Sequence, residues 1–365
     1  MRALSTSNFH TFLIAAVLFS GLIYFYVFSS ARTTSTLDLL PSSQTTWAVK
    51  QSLAYATFLG SPTSHIDRDR GGDEEKEVDV LKDPYFNSVR LLNYQIQHAG
   101  RTRTQLEGVP FLVLVLSTVP ESQIATLKAE GAALVHIKPL DLPDTFDKDF
   151  IETSRFRDVL AKLRLWQLTE YDKILYLDAD SFLLRHLDGL FSEPELKTLH
   201  ERVDNTEVGA SLPDEYLMAA STDTYGSQLE WENNPEEHPA YLCACFMLIK
   251  PSLILFEYYL SILNSPNPPV AIQNAAYPEQ DLLIYAHRLD GPIPWKRIPI
   301  EWSANDGEMN DVLALKGGVR SLHVKGWEDA EGGNVAGEKY SEVWRALMGE
   351  MEGFYADGKN TNSSD

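Results

Sequence analysis

Four short apolar runs, alternating with segments of helical spacing, set the strongest limit on what this chain can fold into. Ala54–Leu59, Phe111–Leu116, Ala133–Ile137 and Lys173–Leu177 each read as a strand, the last a buried one. Between them, Asp83 and Pro84 supply an N-cap and a first-turn proline. Phe86, Val89, Leu92 and Ile96 follow at helical spacing, and Pro120-Glu121 opens a helix that ends near Gly131. Phe156, Val159, Leu160, Leu163 and Trp166 predict a third helix, running to about Tyr171. Strands alternating with helices imply an α/β fold whose central sheet is mainly parallel, joined by right-handed crossovers.

The fourth strand runs into Asp178-Ala179-Asp180. In open α/β sheets ligands bind beyond the carboxyl ends of the strands. Two carboxylates at that place suit a hard divalent cation that keeps positions open for substrate phosphates. Taken alone, Asp-x-Asp also reads as a solvated turn. No G-x-G-x-x-G and no G-x-x-x-x-G-K-[ST] follows a strand, so phosphates need another holder, and a metal is the obvious candidate. Farther on, 205–240 reads as a long polar loop, Tyr241–Ile249 as apolar chain, and Pro251 as the start of a helix reaching about Leu263.

The balance of 52 acidic against 31 basic residues, net −21, excludes a nucleic-acid partner, because phosphate backbones are bound by Lys and Arg clusters. Phe12–Phe28 carries no charge over seventeen residues. As a helix it would span about 25 Å, the lower end of the bilayer-crossing range. We read it as a transmembrane signal anchor, with cleavage after Ser29-Ser30-Ala31 as the alternative. The expected layout is a cytoplasmic tail (1–11), the anchor (12–30), a Ser/Thr-rich stem (31–47), a catalytic domain (48–356) and a polar tail (357–365) that carries the sequon at Asn362. A short span suits a thin early-secretory membrane, so the expected location is the Golgi or ER, single-pass type II with a lumenal domain, or secreted if the segment is cleaved. Cys243 and Cys245 are the only cysteines. Two apart on a strand they share a face, but a bond between them would be strained, so they are expected to be free buried thiols.

Leu160 to Lys173, continuing into Tyr176-Leu177-Asp178-Ala179-Asp180-Ser181, resembles glycosyltransferase family 8, which includes glycogenin, and is most similar to fungal glycogenin-like and N-acetylglucosaminyltransferase-like members. The resemblance covers roughly 48–327. It implies a Rossmann-like GT-A domain that transfers a hexose or N-acetylhexosamine from a UDP-sugar, with retention, to a glycan, glycoprotein or glycolipid acceptor. It also implies Mn²⁺ or another divalent cation on the diphosphate, held by Asp178, Asp180 and His323, the last in Ser321-Leu322-His323-Val324-Lys325-Gly326-Trp327. Lys162 matches the lysine that approaches the diphosphate. Pro278-Glu279-Gln280-Asp281-Leu282-Leu283 resembles the segment beside the donor sugar, and Asp223 after Ala219-Ala220 a sugar-binding carboxylate. The resemblance thus assigns donor contacts to Lys162, Asp178, Ala179, Asp180, Asp223, Glu279, Gln280 and Lys325, with Lys162, Gln280 and Asp281 as catalytic residues.

Three positions depart from that pattern. Cys243-Ala244-Cys245 stands where the family has Asn-x-Gly, Glu279 where aspartate is usual, and Lys325 and Trp327 only partly replace a Lys-Pro-Trp. The departures keep open a catalytically weak nucleotide-sugar-binding subunit. A phosphatase of the haloacid-dehalogenase type also places Asp-x-Asp after a strand, but normally needs a later acidic pair, and no Asp-Asp dipeptide occurs here. Trp166 and Trp302 are expected to pack in the core, and Arg155 and Arg157 to be solvated or paired, with phosphate contact as the alternative.

Overall fold

The apolar runs become the centre of a seven-stranded sheet. The computed structural model describes residues 52–62, 79–141, 158–200, 212–222, 241–267, 269, 277–305, 318–327 and 335–362. In chain order the strands are β1 (Leu53–Leu59), β2 (Phe111–Leu116), β3 (Ala133–Ile137), β4 (Lys173–Leu177), β5 (Ser181–Leu183), β6 (Leu199–His200), β7 (Glu215–Tyr216), β8 (Met218–Thr222), β9 (Leu242–Ile249), β10 (Lys296–Arg297), β11 (Ala304–Asn305) and β12 (Ser321–His323). The helices are α1 (Pro84–Gln97), α2 (Glu121–Ala129), α3 (Leu253–Leu263), α4 (Pro278–Ala286) and α5 (Val335–Asn362). The anchor segment, the stem, Asp223, Arg155 and Arg157 lie outside the described residues. Among the described residues no helix is long and apolar enough to cross a membrane.

The main sheet runs β10-β8-β9-β4-β1-β2-β3. β1 pairs in parallel with β2 and β4, β2 with β3, and β8 with β10, while β9 lies antiparallel between β4 and β8. The sheet is therefore mainly parallel, as the alternation predicts. Its central strands β1, β2, β4 and β9 are buried on both faces, whereas the edge strands β3 and β10 are only partly covered. Asp83 caps α1 by accepting from Phe86 N at 2.8 Å, with Pro84 in the first turn. Gly131, at φ +84°, ends α2, where the amides of Gly131 and Ala132 return to the Lys128 and Leu127 carbonyls.

Three expectations need correction. The helix through Trp166 is a 3-10 helix over Val159–Gln167. Leu160, Leu163 and Trp166 recur every three residues, which suits a three-residue turn as well as an α-helical one. The predicted loop 205–240 contains β7 and the buried strand β8; Met218-Ala219-Ala220-Ser221-Thr222 pairs on both sides despite its small side chains. Finally, α5 continues to Asn362, so the expected tail from residue 357 begins inside a helix. Trp166 is fully buried and meets Tyr259 edge to face at 5.0 Å, as its core assignment requires. Trp302 is also in the core.

A second, three-stranded sheet, β11-β12-β5, carries its own apolar cluster of Leu91, Phe182, Leu322, Tyr340, Met348 and Met351. Leu91 of α1 and Tyr340, Met348 and Met351 of α5 complete that cluster. The link from the main sheet to this one is only three residues long, Asp178, Ala179 and Asp180.

Candidate active site

Both carboxylates owe their positions to backbone pairing. The Asp178 amide donates to the Cys245 carbonyl on β9 at 2.8 Å, and the Ser181 amide donates back to the Asp178 carbonyl at 3.1 Å. The turn is thus tied to the main sheet on one side and feeds β5 on the other. The Gln95 side chain, from α1, pins β5: its Nε2 donates to Leu183 O and its Oε1 accepts from Leu183 N, both at 2.8 Å. On the other edge of β5, β12 runs antiparallel and sets His323 opposite Ser181. The Val324 amide donates to Asp180 O at 2.9 Å. Residues 145 positions apart in sequence are thereby brought together. His323 Nε2 lies 3.1 Å from Asp180 Oδ1, and Asp178, Asp180 and His323 each offer a donor atom within 4.8 Å of the others.

Lys162 reaches this group from the 3-10 helix. Its Nζ lies 2.7 Å from Asp178 Oδ1 and 3.0 Å from Glu279 Oε1, with only 7 % of the side chain exposed. Burial alone would push the ammonium down, but the carboxylates of Asp178 and Glu279 outweigh it and hold Lys162 above its ordinary value. Tyr176, two residues before Asp178 on the same face of the chain, donates from its hydroxyl to Asp178 Oδ1 at 2.5 Å. Burial, then the Asp178 charge, raise the phenol, so it remains a donor. For Asp180, burial favours the neutral acid, but His323 and then Lys162 prevail and drop it below the usual carboxylate range. For His323 burial pulls down, and Asp180 reverses this to lift the imidazole to about 9.

These side chains line a cavity of about 410 Å³, bounded also by Phe58, Leu59 and Gly60 at the carboxyl end of β1. Lys162, Asp178, Ala179, Asp180, Glu279, Gln280, His323 and Lys325 all face it, so most of the predicted donor contacts are assembled in one place. Glu279 Oε2 is a buried acceptor with no hydrogen-bond partner among the described residues. The Glu279 residue as a whole borders the cavity. Gln280 Oε1 accepts from the Ala244 amide at 2.9 Å, so it also holds β9. Asp281 is placed differently: it accepts from Tyr241 Oη and from the Tyr277 amide, each at 3.1 Å, at the start of α4, and is not among the cavity-lining residues. Asp158 and Asn305 also line the cavity, and sequence reasoning missed both of them as well as Tyr176. For Tyr176 its two-residue spacing from Asp178 was a usable signal; Asp158 and Asn305 carried none.

The cysteines are a correction. Cys243 and Cys245 form a disulfide, with Cα atoms 5.2 Å apart. In a regular strand such neighbours are about 6.5–7 Å apart. Here the register slips: Ala220 pairs with Met247 but the next residue, Ser221, pairs with Cys243, so Ala244, Cys245 and Phe246 bulge from β9. The bulge brings the sulfurs together on the cavity wall. Ser221 Oγ lies 3.4 Å from Cys245 Sγ.

The segment carrying His323 and Lys325 is clamped from outside. Trp327 meets Tyr85 at 4.9 Å and Trp344 of α5 at 6.0 Å. A Cβ on Gly326 would sit 2.5 Å from the Trp344 Cβ, so only glycine allows α5 this close.

No family model matches the chain. It is 27% identical over 307 residues, 75% of this chain and 77% of the relative, to an uncharacterised protein of Schizosaccharomyces pombe. It is 28% identical over 195 residues to galactinol synthase 1 of Solanum lycopersicum, covering 51% of this chain and 53% of that enzyme. Among solved structures it is similar to the glycosyltransferase GlyE of Streptococcus pneumoniae, at 13% identity and a TM-score of 0.46, over 82% of this chain and 63% of that one.

Proposed function

We propose that this chain is a metal-dependent retaining glycosyltransferase of GT-A type, related to glycosyltransferase family 8, that moves a hexose or N-acetylhexosamine from a UDP-sugar to a glycan or glycoconjugate acceptor. The observation that carries this is the convergence of Asp178, Asp180, His323 and Lys162 in one cavity at the strand ends. The similarity to a galactinol synthase supports the reaction class.

The donor set fits a divalent ion. Two carboxylates and an imidazole within 4.8 Å suit Mn²⁺ better than the all-oxygen shells of Ca²⁺. When bound by Asp178, Asp180 and His323, the ion would offset the charge that develops on the leaving diphosphate. Lys162, a desolvated ammonium, would stabilise the same charge from the opposite side of Asp178. Glu279, which lines the cavity, would accept from a sugar hydroxyl. Gln280 holds β9, and with it the disulfide wall, against the sugar. Asp178 and Glu279 are both engaged by Lys162, and neither is presented as a nucleophile. That favours same-face attack with the departing phosphate as base over a covalent glycosyl intermediate. We read the uncharged segment Phe12–Phe28 as the anchor that would hold the enzyme in an early-secretory membrane with this domain lumenal.

The test is release of UDP from a panel of UDP-hexoses and UDP-N-acetylhexosamines with Mn²⁺ present. The expected result is turnover of at least one donor, reduced about 100-fold or more in Asp180→Asn. A second reading, a nucleotide-sugar binder without turnover, is favoured by the disulfide standing where the family has an asparagine. Tight UDP binding with no turnover of any donor would establish it.

A further inference from the structure

The disulfide and the carboxylate pair share one histidine. Cys243, Cys245 and His323 also offer donor atoms within 4.8 Å of one another, on the same cavity wall as Asp178 and Asp180. A Zn²⁺ ion bound at about 2.3 Å from sulfur and about 2.0–2.1 Å from nitrogen holds its ligands less than about 4 Å apart. The three side chains need only small rotations to reach that spacing once the S–S bond is open. Both cysteines are almost fully buried, at 4 % and 2 %, and border the cavity.

We propose that reduction of the Cys243–Cys245 bridge creates a second, soft-metal site, in which two thiolates and His323 bind Zn²⁺ and draw the imidazole away from Asp180. The reduction balances with a phosphine reductant. The phosphorus gives two electrons to the S–S bond and takes oxygen from water, while the two sulfurs take up the water's protons. Binding of the metal then releases both thiol protons as the thiolates coordinate. Thiolate ligands select zinc-like ions, whereas carboxylates select Mn²⁺ or Mg²⁺. The oxidation state of one bulge in β9 thus decides which class of ion the cavity holds. The same bulge presents the Cys245 carbonyl to the Asp178 amide at 2.8 Å, so opening the bridge also acts on the backbone of the carboxylate site.

The competition for His323 rests on the metal role given to it above; the thiolate site itself does not. The test uses the full chain, oxidised and after phosphine reduction, titrated with Co²⁺ alone and followed by absorption. The reduced protein should bind one Co²⁺ with a thiolate-to-cobalt charge-transfer band, displaced by Zn²⁺, and the oxidised protein should show no such band. The band should survive in Asp180→Asn and vanish in Cys243→Ser and in Cys245→Ser. Mn²⁺ affinity, read by electron paramagnetic resonance, should fall by at least about tenfold when Zn²⁺ is added to the reduced protein, and stay constant in the oxidised protein. No charge-transfer band in the reduced wild type overturns the site, with no dependence on how a variant folds. A band that appears while Zn²⁺ leaves Mn²⁺ binding unchanged overturns the shared histidine. A band in the reduced protein, with no Mn²⁺ binding in the oxidised one, supports the thiolate site while contradicting the carboxylate reading.

Discussion

Replacing Lys162 with methionine tests the electrostatic centre of the cavity. The ammonium sits 2.7 Å from one carboxylate oxygen and 3.0 Å from another, with little solvent to share the charge. At an effective dielectric near 20, each contact is worth about 6 kcal/mol of attraction before desolvation, which consumes most of it. Methionine keeps the volume but leaves the partly buried Asp178 and the buried Glu279 without their cation. Loss of one member of a buried charged group costs about 3–5 kcal/mol. For a domain of this size that lowers the melting temperature by roughly 5–15 °C. Adding Glu279→Gln removes one of the two stranded charges, and the double variant should regain about 1–3 kcal/mol of the loss. Thermal denaturation of the wild type, both single variants and the double variant, without added metal, gives the coupling directly. A wild-type melting temperature for Lys162→Met, or purely additive losses in the double variant, would refute the buried-triad reasoning.

Three further outcomes follow from separate parts of the molecule. His287 is fully buried, donates from Nδ1 to Ile293 O at 2.7 Å and accepts from Tyr259 Oη at 2.6 Å; burial holds it down to about 4, against the opposing pull of the Ile293 carbonyl. Its unfolded value is about 6.5, so its contribution is complete above that pH and is lost as pH falls toward about 4, a change of about 3 kcal/mol; urea titrations across that window should show the slope, and it should flatten in His287→Gln. Gly326→Ala forces Trp344 and α5 outward, which should cost about 1–3 kcal/mol and weaken Mn²⁺ binding through the His323 segment, checked by calorimetry on the same samples. Asp188 accepts from Tyr55 Oη, Thr104 Oγ1 and the Gln105 amide at 2.6–2.8 Å, away from the cavity; Asp188→Ala should lose about 3 kcal/mol of stability with Mn²⁺ affinity unchanged.

Much of this architecture is legible in the chain because fully buried strands are written as unbroken apolar runs. Phe111–Leu116 admits little else, and Asp83-Pro84 marks a helix start by local chemistry alone. What escaped is set by partners distant in sequence. Met218–Thr222 has a single strand former, Thr222, and it is a strand because β9 and β10 flank it. The 3-10 turn through Lys162 hides behind a spacing that fits two periods. The Cys243–Cys245 bridge depends on a three-residue bulge that no local pattern announces. By contrast α5 was readable: Tyr340, Trp344, Met348, Met351 and Tyr355 recur at three- and four-residue steps. At the site, Asp178, Asp180, His323, Lys162 and Glu279, named through the resemblance, line one cavity, whereas Asp281 holds the start of α4.

The central claim is that Asp178, Asp180 and His323 hold a metal which, with Lys162, clamps a nucleoside diphosphate. Calorimetric titration of UDP into the purified chain, with and without Mn²⁺, measures it directly. The account predicts that Mn²⁺ tightens UDP binding by at least about tenfold in the wild type, a coupling of about 1.4 kcal/mol or more, and that this gain disappears in Asp180→Asn. UDP affinity that is indifferent to Mn²⁺, or a gain that survives in Asp180→Asn, would contradict it.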